Sequence, residues 1–308
     1  MNECYNSSEK KFYILAFFSS NFKYFTFLGI LLMYLVTVLG NLIIVILVIC
    51  VDQLHNPMYF FLCNLSIIDI VYISTTLPKL LSITLTQDHS ISFHGCVTQQ
   101  YFFLLCVDAE VFILTSMAYD RYIAICFPLQ YSMIMKKIVC ITMATCAWLI
   151  GMLNSLLYAV LTSMLSFCYS HEINHFFCEL KTMMRLSSSD ISSRETLLFC
   201  EYPFMVFLPF IVTVISYVYI IATILNIRSR DGKLKAFSGC TSHLTTVALF
   251  YGAGISLYLM PESNNSQEHN KTISLLYVAI VPMLNPLVYS LRNKEVLGSI
   301  RKIFNIKG

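Results

Sequence analysis

Charge is scarce in this chain: only 12% of its 308 residues are Asp, Glu, Lys or Arg. A soluble domain carries about a quarter charged residues to cover its surface, so a water-solvated globular protein is excluded. The formal net charge of +3 is too small to point to nucleic acid. Basic–aromatic interleaving and zinc-knuckle spacing are also missing. The sequence has no nucleophile–base constellation, phosphate-cradling glycine loop or metal-ligand cluster, so an enzyme is not expected. Internal repeats and low-complexity tracts are absent too. The first 23 residues are polar and mixed, with no short apolar core before a small-residue cleavage site, so no cleaved signal peptide is expected.

What the chain has instead is apolar length, with 57% hydrophobic residues set in continuous runs. Roughly 20 apolar residues cross the hydrocarbon core as a helix, and in lipid only helices and closed barrels satisfy their own backbone. Continuous rather than alternating runs favour helices. The expected spans are 24–51, 58–81, 93–125, 138–161, 197–227, 237–260 and 273–291. Asn56-Pro57 offers a cap and a first-turn proline for the second span. Kinks are expected at Pro209 and at Pro282 or Pro286. Residues 295–306 read as an amphipathic helix on the membrane surface. The polar loop 166–194 is longer than a simple connection needs. The expectation is therefore an all-α membrane protein. It would be one domain over 1–308, with a seven-transmembrane helix bundle at 24–291, residues 1–23 outside and 292–308 inside.

Orientation follows from Lys and Arg placement. One side collects Arg121, Lys136, Lys137, Arg228, Arg230, Lys233, Lys235, Arg292, Lys294, Arg301, Lys302 and Lys307, twelve of the 20 basic residues. That side is read as cytoplasmic. A sequon at Asn6 then falls outside, where glycosylation requires it.

Two short motifs close the helical runs. Asp120-Arg121-Tyr122 ends the third span, and Asn285-Pro286-Leu287-Val288-Tyr289 lies near the end of the seventh. Longer strings accompany them: Leu54-His55-Asn56-Pro57-Met58-Tyr59, Met117-Ala118-Tyr119-Asp120-Arg121-Tyr122, Lys235-Ala236-Phe237-Ser238, and Pro282-Met283-Leu284-Asn285-Pro286. Over almost its whole length the chain resembles the tetrapod-type olfactory receptors of the rhodopsin-like G-protein-coupled class. The resemblance implies a plasma-membrane receptor. A small-molecule odorant would shift it to a state that engages a heterotrimeric G protein of the stimulatory olfactory type and raises cAMP.

The resemblance also implies roles for particular residues. Asp120 and Arg121 form a resting-state lock, and Arg121 turns to the G protein on activation. Tyr217 and Tyr289 turn inward, with His243, Asn285 and Pro286 in the same switch region. Asp69 and Glu110 lie deep in spans two and three, where ionisable residues are rare and usually functional. They imply a sodium-type cation site, with Asn41 and Asn285 as neighbours; the alternative is a neutral, protonated network. Otherwise no cofactor is expected. The odorant cavity is expected from Phe103, Leu104, Val107, Asp108, Met205, Val206, Tyr251, Ile255, Tyr258 and Val278, with Tyr251 as a toggle beneath the ligand. Asp108, with Glu201, either hydrogen-bonds a donor or amine ligand or is an acid satisfied by nearby hydroxyls. Cys96 is expected to bond Cys178. The family pairs Cys168 with a position that is Ser188 here, so Cys168 is free, or pairs with Cys200 or Cys4. His175 begins a loop string proposed to hold metal in this family, but a disulfide-bonded Cys178 could not be a thiolate ligand.

Overall fold

A computed structural model of the chain describes residues 11–16, 23–168, 170–258, 267–292 and 298. Among these residues the fold is a bundle of seven long helices: α1 (Lys23–Cys50), α2 (Pro57–Thr86), α3 (Phe93–Cys126), α4 (Lys137–Ser163), α5 (Ser192–Asn226), α6 (Arg230–Tyr258) and α7 (Gln267–Arg292). Six of the helices are long and apolar enough to cross a membrane by length and composition. The other, α6, begins Arg-Asp-Gly-Lys-Leu-Lys, and Thr241, Ser242, His243, Thr245 and Thr246 interrupt its apolar run. The surface helix expected at 295–306, like Asn6, lies outside the described residues.

Local chemistry sets the helix starts. Asn56 accepts a hydrogen bond from the Tyr59 amide at 3.2 Å, with Pro57 in the first turn. Ser92 accepts from the Gly95 amide at 3.1 Å and opens α3. At 1.5 Å per residue, the 34 residues of α3 run roughly 51 Å, the central mast of the bundle. The expected kink in α5 lies earlier than Pro209. The backbone widens into a π-helical turn over Pro203–Phe207, because Pro203 and Pro209 both lack the N–H that regular helix bonding needs.

The outward faces of α1 and α5 carry exposed Leu32, Leu39, Ile43, Ile211, Ile215 and Val218. An apolar surface of that extent suits a lipid surrounding. Inside, small residues set the closest approaches. A Cβ on Gly151 of α4 would sit 2.9 Å from the Leu105 carbonyl oxygen of α3. A Cβ on Gly40 of α1 would sit 3.1 Å from Pro286 of α7.

The all-α expectation needs one addition. Three short strands form a sheet at the end of the bundle where α3 begins, in the order β2 (Ser90–Ser92), β1 (Lys11–Ile14), β3 (Glu172–Ile173). β1 runs antiparallel to β2 and parallel to β3. Phe12 and Ile14 point inward while Lys11 and Tyr13 stay exposed, the period of two that a half-buried strand requires. The N-terminal segment is thus part of the outer lid, which its mixed composition did not announce.

Candidate functional site

At the C-terminal end of α3 the expected ion pair is closed. Arg121 Nη2 lies 2.7 Å and Nε 3.1 Å from Asp120 Oδ2. The other carboxylate oxygen accepts from the Tyr131 hydroxyl at 2.7 Å. Asp120 is fully buried, so its charge needs all three donors. Tyr131 belongs to a one-turn helix, Tyr131–Ile134, in the connection to α4. Its partial burial, then the Asp120 charge, holds its phenol up above the ordinary tyrosine range, so it stays a donor. Sequence reading missed Tyr131, which carries no motif of its own.

One turn and more above, Tyr217 of α5 meets His243 of α6. His243 Nε2 donates to the Leu114 carbonyl of α3 at 3.1 Å, leaving Nδ1 to accept from the Tyr217 hydroxyl at 2.7 Å. A single neutral imidazole therefore ties α3, α5 and α6 together. Tyr289 is fully buried in α7, and Ser242 donates to the Val288 carbonyl at 3.2 Å, linking α6 to α7.

At mid-bundle, Asn285 donates to both Asp69 oxygens, at 3.0 and 3.3 Å. Glu110 lies within electrostatic reach of Asp69. Asn41 spends its amide on the Thr37 and Pro282 carbonyls. Four buried oxygens are left without a hydrogen-bond partner: Asn41 Oδ1, Ser66 Oγ, Glu110 Oε1 and Asn285 Oδ1. Oxygens alone, one of them a carboxylate and with the Asp69 carboxylate beside them, suit a hard cation. Among the described residues no three His, Cys, Asp or Glu side chains group as a metal set. Ser66 is a member that sequence reading did not name.

The residues expected to line the outer cavity divide. Tyr251 and Val278 are buried, and Phe103, Leu104, Val107, Met205 and Val206 are half-buried. Tyr251 packs on Phe210 of α5, ring centroids 4.7 Å apart. Phe103 lies between Tyr72 of α2 and Phe177 of the outer loop, at 5.0 and 4.5 Å. Ile255 is 48% exposed, away from the buried side of α6. The side chain of Tyr258 lies outside the described residues. Asp108 turns toward α4, where the Asn154 amide donates to its Oδ2 at 2.9 Å. The Tyr158 hydroxyl donates to Glu201.

The lid is stapled as expected by a Cys96–Cys178 disulfide, Cα atoms 5.4 Å apart. Gln99 Oε1 also accepts from the Cys178 amide at 2.9 Å. Cys200 is a free, exposed thiol and Cys168 is disulfide-bonded, so two of the three readings for Cys168 fall; Cys4 lies outside the described residues. Ser188 still meets Cys168, its hydroxyl accepting the Cys168 amide at 3.0 Å. His175 is buried with Nδ1 unpartnered. It lines a cavity of about 250 Å³ with Glu172, Glu179, Arg185 and Lys271. Burial is the main reason its imidazole stays below the ordinary histidine range; Glu179 opposes the effect and Lys271 adds to it.

The sequence model of the olfactory receptor family matches residues 30–307. Olfactory receptor 1J4 of Homo sapiens is 47% identical over 279 residues, covering 91% of this chain and 88% of that protein. Olfactory receptor 5AR1 of Mus musculus is 47% identical over 281 residues, 91% of each chain. Olfactory receptor 1 of Rattus norvegicus is 46% identical over 272 residues, 88% of this chain and 87% of the relative.

Proposed function

The chain belongs to the olfactory receptor family, a multi-pass G-protein-coupled receptor that senses odorants, and we propose how it does so. A small odorant occupies the outer half of the bundle, among Phe103, Leu104, Val107, Met205, Val206, Tyr251 and Val278. It binds the active arrangement better than the resting one and so shifts the population. The cytoplasmic end of α6 then swings outward, and Arg121 leaves Asp120 to meet a stimulatory olfactory-type G protein, raising cAMP. The receptor sits in the plasma membrane, N-terminus outside.

The closed Asp120–Arg121–Tyr131 cluster carries this reading. A buried ion pair is a costly device in stability terms, and here it lies where the charged cytoplasmic ends of α3 and α6 converge. Tyr217–His243–Leu114 supplies the α5–α6 latch that must open with it.

The oxygens around Asp69 fit a sodium ion. Asp69 and Glu110 would hold it, with Asn41, Ser66 and Asn285 completing the shell. When bound, the ion supplies the positive charge that lets both carboxylates stay ionised. The resting packing of α1, α2, α3 and α7 is stabilised by those same side chains.

The test is a cAMP reporter screen against a chemically diverse odorant panel, with surface level measured in parallel. An odorant should raise cAMP in the native receptor and not in Arg121→Ala at equal surface level. A response that survives Arg121→Ala undiminished would overturn the mechanism.

A further inference from the structure

The face of α4 toward α3 is a polar ladder. Asn154, Tyr158 and Thr162 recur at four-residue spacing, so they stack on one side of the helix. Each holds one partner. Asn154 donates to Asp108 at 2.9 Å, Tyr158 donates to Glu201 of α5, and Thr162 accepts from the Gln100 amide at 2.9 Å. Gln100 and Asp108 lie two turns apart on α3, and Glu201 falls between their levels, within electrostatic reach of Asp108.

Hydrogen-bond supply in this seam is lopsided. Asp108 receives one donor on Oδ2 and none on Oδ1; Glu201 receives only the Tyr158 hydroxyl. Gln100 is 1% exposed, and its Oε1 has no partner although its amide nitrogen is bonded into the same seam. Three side chains thus present unmet acceptor oxygens, two of them carboxylates, while the nearby hydroxyl donor is already committed. No Lys, Arg or His contributes to the electrostatics of Asp108, whose charged neighbour is another acid. Asp108 is buried and Glu201 half-buried, and two acids facing one seam favour a positive charge between them. Asp108 Oδ1 is not among the sealed, unpartnered atoms, so a guest can reach it.

We propose that Asp108 and Glu201 form a subsite for the ammonium group of a small organic amine, which makes amines a ligand class of this receptor. An ammonium offers three N–H donors and one positive charge, the two things the seam lacks. An alcohol of the same shape offers one donor and no charge. Gln100 Oε1 marks the upper end of the subsite, where a second N–H donor of a longer amine would bind. The proposal rests on the odorant-binding reading, because the subsite adjoins Leu104 and Val107 of the outer cavity.

The experiment compares a straight-chain primary alkylamine with the alcohol of equal length on the purified full chain in detergent. Ligand-induced thermal stabilisation reads binding, and the cAMP reporter in cells reads signalling. The amine should stabilise the native chain at concentrations where the alcohol does not. Asp108→Asn and Glu201→Gln should each weaken amine binding by roughly 10- to 100-fold, the worth of a charge-assisted hydrogen bond. Should Asp108→Asn fail to fold, Glu201→Gln decides alone. The proposal is overturned if the amine binds no better than the alcohol, or if both variants bind it as the native chain does. Amine binding without any cAMP response would instead fault the signalling reading and leave the subsite standing.

Discussion

Tyr131→Phe should raise the activity of the receptor without ligand. The substitution removes one oxygen and leaves the ring in place. Asp120 Oδ1 then loses the donor at 2.7 Å while Arg121 keeps its grip on Oδ2. A hydrogen bond to a charged group is worth about 1.5–3 kcal/mol. Tyr131 is only partly buried, so water replaces part of the loss and the lower end applies, about 1–1.5 kcal/mol. If the bond exists only in the resting arrangement, the equilibrium shifts about 5- to 12-fold toward the active one, at roughly 1.4 kcal/mol per tenfold. An active fraction of about 1% at rest would then become roughly 5–10%. The assay is agonist-free cAMP, normalised to surface receptor, beside Asp120→Asn as the larger perturbation. Basal activity within twofold of the native chain, at equal surface level, would refute the view that Tyr131 holds the resting state.

Four further outcomes are expected. Gly151→Ala drives a Cβ to within 2.9 Å of a backbone oxygen, so it should cost about 1–3 kcal/mol by overpacking and lower the Tm in detergent by several degrees. Gly252→Ala meets nothing within 4 Å and, lying inside α6, should keep or slightly raise the Tm. Sodium chloride should raise the Tm above that in an equal concentration of N-methylglucamine chloride, and Asp69→Asn should abolish the difference; equal melting in both salts would count against the cation site. His175 is held below its ordinary pKa of 6.5 in the folded state. The unfolded chain therefore binds the proton first as pH falls. Stability is fully present above about pH 6.5 and declines below it until the folded imidazole itself charges. His175→Gln should flatten that decline in a Tm series from pH 7.5 to 5.5.

Some of this architecture was open to reading from the sequence. Apolar runs of membrane length placed α1 to α5 and α7, their ends falling up to six residues from the observed ones, because lipid leaves a long uncharged run little other option. Asp120, Arg121, Asn285 and both disulfide cysteines Cys96 and Cys178 carry their chemistry in their own residue type. The sheet was hidden: strands of four, three and two residues are too short for a period of two to register. The cytoplasmic extension of α6 was hidden by its polar first residues, which helix packing and capping stabilise without an apolar run. Tyr131 and Ser66 were invisible for another reason, since nothing local distinguishes a tyrosine or serine whose partner lies across the bundle. Asp108 was placed on the cavity face, but its actual neighbour Asn154 is 46 residues away. No periodicity within α3 can say which helix stands opposite a given face.

The position of β1 sets an order of assembly. This strand is central in its sheet, yet it is synthesised before both of its neighbours. Tyr13 pairs with Ser90 on one side and with Glu172 on the other, so its second edge stays bare until four helices have entered the bilayer. Contacts this distant in sequence form late. The sheet over this end of the bundle consequently cannot close before α4 is in place. An inserted but lidless receptor would pass through the secretory machinery with Phe12 and Ile14 uncovered, the kind of apolar surface on which quality-control chaperones act.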